Sequence, residues 1–292
     1  GLICAFGLIG NMMVIFVILV LQEYKKSVTH WYVLQLAIAD SLFLLTLPFK
    51  MVEDMNGRWI YSEWMCKAKE TLLFLNYYAS ILFLMIMSLD RYIAVCHTFS
   101  TQLQKLRKPV VSVMITAVTW LVSLLICIPI MLYSFKVGIK GSCICRYLCC
   151  HYWTRPRGWT IFNVFNFIVM FLLPFLVMVA CYGLIIHRLS TTRMRTASTQ
   201  SNQQPTSGRG RKGSSRSDKD RRRVTIMCAA LVGCFVVCWL PFHAIHIAKI
   251  AGIAKALCVT LPIIGSLLAY SNSLLNPYLY SVLGTRFARR WL

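Results

Sequence analysis

Apolar residues run through this chain in seven long blocks, separated by short charged or turn-forming stretches. The blocks lie near 1–22, 31–53, 67–96, 109–133, 159–187, 224–250 and 257–283. A helix needs about 20 mostly apolar residues to cross the hydrocarbon core of a bilayer. Only helices and closed barrels satisfy their backbone in lipid, and these blocks lack the alternation of barrel strands. The pattern predicts an all-α membrane protein built as a seven-transmembrane helix bundle. The third, fifth and sixth blocks exceed the membrane's thickness, so they are expected to tilt or project into the cytoplasm. Segment 190–222 has no helix signal. Its Ser, Gly and Arg composition cannot bury a core, which predicts a disordered basic third cytoplasmic loop whose flanks, Arg188 to Arg195 and Arg221 to Arg223, touch a partner. The chain opens inside an apolar run at Gly1 and stops at Trp291-Leu292 within an amphipathic stretch, so it reads as truncated at both ends.

Composition agrees with a membrane chain. Hydrophobic residues make up 58% of 292 and charged residues only 14%, and mean hydropathy is +0.64. The net charge of +22 suggests nucleic acid, but its distribution argues otherwise. Twenty of the 31 lysines and arginines fall in one alternating set of connections and helix ends. By the positive-inside rule that set is cytoplasmic, which puts the N-terminus outside and the C-terminus inside. Lys25, Lys26, Lys105, Arg107 and Lys108 sit in short loops, where the rule is strongest. No nucleic-acid partner is expected.

Eight of the 13 cysteines (Cys4, Cys96, Cys127, Cys181, Cys228, Cys234, Cys238 and Cys258) lie in or beside apolar runs and read as small buried hydrophobes. Cys66 stands at the outer end of the third block, and Cys143, Cys145, Cys149 and Cys150 crowd the outer loop after the fourth. An extracellular loop permits disulfides, and the spacing does not match a zinc site. Cys66 bonded to one loop cysteine is the better reading.

A landmark stands in every block: Gly10-Asn11; Leu36-Ala37-Ile38-Ala39-Asp40; Cys66 with Asp90-Arg91-Tyr92; Trp120 with Pro129; Pro174 with Tyr182; Cys238-Trp239-Leu240-Pro241-Phe242; and Asn276-Pro277-Tyr278-Leu279-Tyr280. Each alone is weak. Seven in order, over essentially the whole chain, make the sequence similar to the rhodopsin-like G-protein-coupled receptors. Phe287 and its neighbouring arginines then resemble the start of a short amphipathic helix lying on the inner leaflet, against membrane lipid. The partner of Cys66 would be Cys145 by distance from Trp120, and Cys149 or Cys150 by distance to Pro174.

A mid-membrane carboxylate is costly unless paired or hydrated, so Asp40 should face the bundle interior. Asn76 and Ser80 share one face of the third helix, and Asn272 and Ser273 lie one turn before Asn276-Pro277. The resemblance implies that these oxygens form a sodium site favouring the inactive state; no other metal or cofactor is implied. It also implies that Arg91 is a latch on Asp90, beside Tyr92, that opens to reach Tyr182, Tyr280 and a G-protein helix. The usual acidic partner on the sixth span is missing, with Arg221 in its region. A lock must then rest on Asp90 and on hydrogen bonds, Thr225 among the candidates. Ile81, Pro174 and Phe235 match the family's packed trio under the ligand pocket. Trp239 sits above them, and Pro174, Pro241 and Pro277 mark kinks.

Amine receptors carry an Asp seven residues after the outer cysteine of the third helix; here that position is Leu73. Ala269 replaces the retinal-binding lysine. Thr46-Leu47-Pro48-Phe49 is shared with many peptide receptors. The stretches around Asp90-Arg91-Tyr92 and Trp239 look much like opioid and somatostatin receptors, and Tyr270 and its neighbours look like galanin and allatostatin receptors. The resemblance therefore implies a plasma-membrane receptor for an extracellular, neuropeptide-like ligand, signalling through heterotrimeric G proteins of the inhibitory Gi/o group, with arrestin and receptor kinase as further partners. Glu70, one turn outside Leu73, is placed to receive a basic ligand residue or to pair with Lys67 or Lys69. Trp239, Phe242, His243, His246, Lys249 and Tyr270 complete the expected pocket. The competing readings are a non-signalling peptide scavenger of the same fold and a receptor for a small non-peptide ligand. No nucleophile–base pair or phosphate loop supports an enzyme, and the absence of internal repeats argues against a transporter.

Overall fold

A computed structural model describes residues 1–139, 142–147, 156–200, 211–251 and 260–283. Seven helical spans follow one another. The first is Leu2–Val20, the second Val28–Leu44 continued by Leu47–Asn56, and the third Glu63–Cys96. The fourth is Pro109–Tyr133, the fifth Pro156–Gln200 with a π-helical turn at Ile168–Leu172, the sixth Arg211–Ile250 and the seventh Thr260–Leu283. Short helices at Glu23–Lys26 and Thr101–Lys105 lie in the connections after the first and third spans.

Six of these stretches are long and apolar enough to cross a membrane. The seventh is not among them, because Ser271, Asn272, Ser273 and Asn276 interrupt it. Those polar groups are buried inside the bundle or half-buried beside it, so the shortfall in hydropathy comes from polar side chains turned inward. The second and third spans are mostly buried, whereas the first and fourth leave most of their apolar surface facing outward. The third helix is the axis of the bundle, in contact with the second, fourth, fifth and sixth.

The prolines break helices, and neighbours mend the breaks. A proline has no N–H for the carbonyl four residues back. Pro48 frees the carbonyl of Leu44, which receives the Cys4 thiol at 3.4 Å. Pro277 frees that of Ser273, which receives the Asn11 side-chain amide at 2.9 Å. Gly10 makes the second contact possible, since a Cβ there would stand 2.8 Å from the Pro277 ring. In the fifth helix, Leu173 N–H reaches back five residues to Ile168, a π turn immediately before Pro174.

Two features depart from the sequence expectation. Strands Ser134–Ile139 and Ser142–Tyr147 form an antiparallel hairpin with Ser134 opposite Tyr147, and it lies against the third helix. Helix also enters both ends of the 190–222 segment read as disordered, reaching Gln200 and resuming at Arg211, with 201–210 outside the described residues. Extending a helix already nucleated in the membrane costs little per residue, which the composition alone does not reveal. Cys66 is disulfide-bonded. Cys143 and Cys145 lie on the second strand, while Cys149, Cys150, Cys258 and the expected amphipathic helix from Phe287 lie outside the described residues. Cys4, Cys96, Cys127, Cys181, Cys228, Cys234 and Cys238 are free thiols.

Candidate functional site

The polar centre of the bundle is built around Asp40, which is fully buried. Its Oδ1 accepts from Asn76 Nδ2 at 3.0 Å and Ser273 Oγ at 2.6 Å, and its Oδ2 from Asn276 Nδ2 at 2.8 Å. The carboxylate thus joins the second, third and seventh helices. Around it, Asn76 Oδ1, Ser80 Oγ and both side-chain polar atoms of Asn272 are buried without a partner. Unmet buried acceptors are costly. An anionic carboxylate ringed by spare oxygens is the donor set that a hard cation takes, so the five residues predicted for a sodium site fit one.

Toward the outside lies a chamber lined by Leu73, Phe74, Tyr77, Phe162, Asn163, Asn166, Trp239, Phe242 and His243. Its lining carries neither a carboxylate nor an ammonium group. The enclosed free space is about 10 Å³, room for roughly one water. Tyr77 fills it. Its hydroxyl meets His243 Nε2 at 3.0 Å, and its ring lies 4.5 Å from Trp239 and 6.0 Å from Phe235. His243 is further walled by Phe171, 4.8 Å away. Ile81, Phe235 and Trp239 belong to one core, and Pro174 is buried beside the π turn. Trp239 Nε1 is buried without a partner. His246 Nδ1 meets the Phe242 carbonyl at 2.8 Å, and Tyr270 stacks on Phe43 at 4.9 Å, away from the chamber's lining. The Lys249 side chain lies outside the description.

At the outer rim, Lys69 Nζ stands 3.1 Å from Glu53 Oε2 and 3.1 Å from Glu70 Oε1. The three side chains are 10%, 4% and 12% exposed. The same ammonium lies 5.0 Å from the Trp59 ring. Lys50 reaches Glu53 at 3.6 Å and the exposed Asp54 at 2.6 Å. Glu70 is therefore matched within the protein by Lys69, the second of the two roles considered for it from sequence, and Lys67 turns instead to Glu63.

The opposite end of the bundle holds a second ionic cluster. Arg91 bonds Asp90 Oδ2 through both Nε, at 3.0 Å, and Nη2. Thr29, at the base of the second helix, donates to the same oxygen at 3.0 Å and accepts from Arg91 Nη2. Asp90 Oδ1 is taken by Arg107 Nε at 2.7 Å, and Gln104 braces Arg107 at 3.2 Å. Tyr92 OH meets His97 Nε2 at 2.9 Å. Tyr182 OH accepts from Ser88 at 3.3 Å, and Tyr280 OH is buried without a partner. Arg91 is thus folded back on its own helix, and two tyrosines stand ready within the core.

Comparison with known proteins matches this arrangement. The pattern of the 7 transmembrane receptor (rhodopsin family) covers residues 10–280. The chain belongs to that family. It is a multi-pass membrane receptor and not an enzyme. Somatostatin receptor type 2 of Mus musculus is 34% identical over 294 residues, covering 98% of this chain and 73% of the relative. The type 2 receptor of Sus scrofa matches to the same extent. Somatostatin receptor type 4 of Rattus norvegicus is 32% identical over 290 residues, covering 99% of this chain and 69% of the relative.

Within this receptor the sequence reading found the residues at each centre but missed several partners. Arg107 was read only as part of a basic loop, and Thr29 drew no attention. Tyr77 has no place in the pocket expected from sequence, although a tyrosine one turn below Leu73 and facing the sixth-helix histidines is a usable signal. Glu53 stood in view as an acid at the end of the second block. Its pairing with Lys69 depends on how the kink at Pro48 turns the outer second helix, which no local pattern gives.

Proposed function

We propose that this protein is a plasma-membrane receptor for an extracellular peptide, with its N-terminus outside, that activates heterotrimeric G proteins of the inhibitory Gi/o group. The observation that carries the reading is Arg91, a buried cation held by Asp90 and Thr29, with Arg107 drawing on the same carboxylate from its other oxygen. Such a group is a charge in reserve: once Asp90 lets go, it extends toward Tyr182, Tyr280 and a docking G-protein helix. The printed names of the relatives, somatostatin receptors, favour a peptide as ligand. Arrestin and receptor kinase would meet the same cytoplasmic face, and lipid the apolar flanks.

The mechanism follows from how full the chamber is. A ligand side chain entering above Trp239 has almost no free volume, so it must displace Tyr77 or break its bond to His243. Tyr77 packs on both Trp239 and Phe235. Its shift repacks the sixth helix at Pro241, where the missing backbone bond lets the inner half swing outward. Asp40, Asn76, Ser80, Asn272 and Ser273 would hold Na+, which supplies a positive charge that favours the closed packing. The family relation implies that closing these oxygens around the ion opposes the swing. Activation of each G-protein class, measured with a neuropeptide library that includes somatostatin, tests the reading. A Gi/o response that vanishes in Arg91→Ala is expected. Specific peptide binding at the surface with no G-protein response would make the protein a scavenger instead. Sodium dependence of agonist affinity should disappear in Asp40→Asn; retained dependence removes the ion from the account.

A further inference from the structure

The outer cluster has the composition of a cation site that already contains its cation. Two carboxylates from different helices, Glu53 and Glu70, converge on one ammonium at 3.1 Å each. The Trp59 face closes a third side at 5.0 Å. Trp59 is itself 2% exposed, its indole N–H fixed on the Ser62 carbonyl at 3.0 Å and its ring set against Tyr61. Carboxylates plus an aromatic face are what proteins assemble to bind ammonium groups from outside. Here the ammonium is covalently part of the wall. Lys50, whose nearer partner is Asp54, gives Glu53 a second ammonium at 3.6 Å, and the chamber lined by Leu73 and Tyr77 has no charged lining.

We propose that Lys69 is an internal counter-cation: it fills a primary-ammonium site made by Glu53, Glu70 and Trp59, and thereby sets the receptor against ligands that present an ammonium or guanidinium group at that depth. The inference rests on the outer mouth being the ligand's entry. It assigns ligand selectivity to a residue that never needs to touch the ligand. A cationic ligand group meets a closed ion pair and would have to expel Lys69 into a neutral, nearly filled chamber. A neutral hydrogen-bonding or aromatic group meets no such barrier. Removing the lysine side chain leaves the carboxylates and the indole in place and opens the site to any alkylammonium of similar length.

Chemical rescue tests this without knowing the natural ligand. Purified full-chain Lys69→Ala in lipid nanodiscs is titrated with n-butylammonium, and with n-butanol as the neutral control, while thermal stability is followed. The expected result is a saturable rise in melting temperature with n-butylammonium in Lys69→Ala, and none with butanol. Wild type and Lys69→Ala/Glu70→Gln should bind the amine at least about tenfold more weakly, as loss of one charged hydrogen bond predicts. Equal effects on wild type and Lys69→Ala, or no saturable effect on a folded Lys69→Ala, would overturn the proposal. If Lys69→Ala does not reach the cell surface, n-butylammonium in the growth medium should restore its surface level while butanol does not. No restoration counts against the proposal. These readouts need no peptide and no G protein, so a failure here is separate from a failure of the signalling assignment.

Discussion

The two ionic clusters of this receptor make an instructive pair. Each buries opposite charges contributed by more than one segment. The outer one joins Glu53, Lys69 and Glu70 across the second and third helices. The other joins Asp90, Arg91 and Arg107 across the third helix and the loop that follows. The outer cluster shares one cation between two anions, so no positive charge is in excess. The other cluster shares one anion between two cations, so one positive charge is in excess. On the two proposals above, the same interaction serves opposite ends: the first closes a site against incoming charge, and the second stores a cation for release. Buried ion pairs are poor sources of net stability. Their value here is that they decide which charge is free to leave.

Four substitutions probe the contrast. The largest effect is expected from Arg91→Ala: ligand-stimulated nucleotide exchange on the G protein should fall to background while surface expression persists. Stimulated exchange that survives would mean the stored cation is not the one the partner reads. Next, Lys69→Met removes the ammonium that two buried carboxylates share. The cost is about 3–5 kcal/mol, visible as a marked drop in melting temperature that added Glu53→Gln partly restores. If the single change is neutral, the outer cluster is wetter than its burial indicates. Arg107→Ala frees Asp90 Oδ1, but Arg107 is 28% exposed, so solvent screening holds the loss to about 1 kcal/mol. Ligand-independent signalling should then rise about fivefold; an unchanged basal rate would remove Arg107 from the lock. Thr29→Val takes away one hydroxyl while keeping the volume. It should raise basal signalling about twofold, because the hydroxyl bonds Asp90 and Arg91 alike and its loss removes no charge from the pair, and a larger rise than in Arg107→Ala would reverse the ranking of the two supports.

Much of this was legible in the sequence, for identifiable reasons. Apolar blocks report helices directly, because the bilayer forbids most alternatives. Asp40 is conspicuous as a carboxylate inside an apolar block, and its partners Asn76, Ser273 and Asn276 share its interior faces. What escaped was geometry between elements. Nothing local says that Arg107 folds back 17 residues onto Asp90, or that Tyr77 and His243, 166 residues apart, share a bond. The pairing of Glu70 was a choice between two lysines and a ligand. It turned on Glu53 reaching the same ammonium, which fixes Lys69 over Glu70 and leaves Lys67 to Glu63. The hairpin after the fourth span carries no strong alternation of its own, and its pairing is made against the third helix rather than announced in its composition.

The π turn in the fifth helix has a further consequence, best stated as rotational phase. Asn166 accepts a bond from Tyr78 on the third helix, and Tyr182 accepts one from Ser88 on the same helix. In an uninterrupted α-helix, Asn166 and Tyr182 would point about 160° apart, on nearly opposite sides. The extra residue held in Ile168–Leu172 turns one half by about 100° against the other, which brings the two within about 60° and lets both ends of the fifth helix address one neighbour. The half that carries Asn166, in the chamber lining, and the half that carries Tyr182 are thus kept in phase across a single inserted residue. Deleting one residue there would restore an uninterrupted α-helix with both ends still about 60° apart, whereas regularising the turn at constant length would aim one end into lipid.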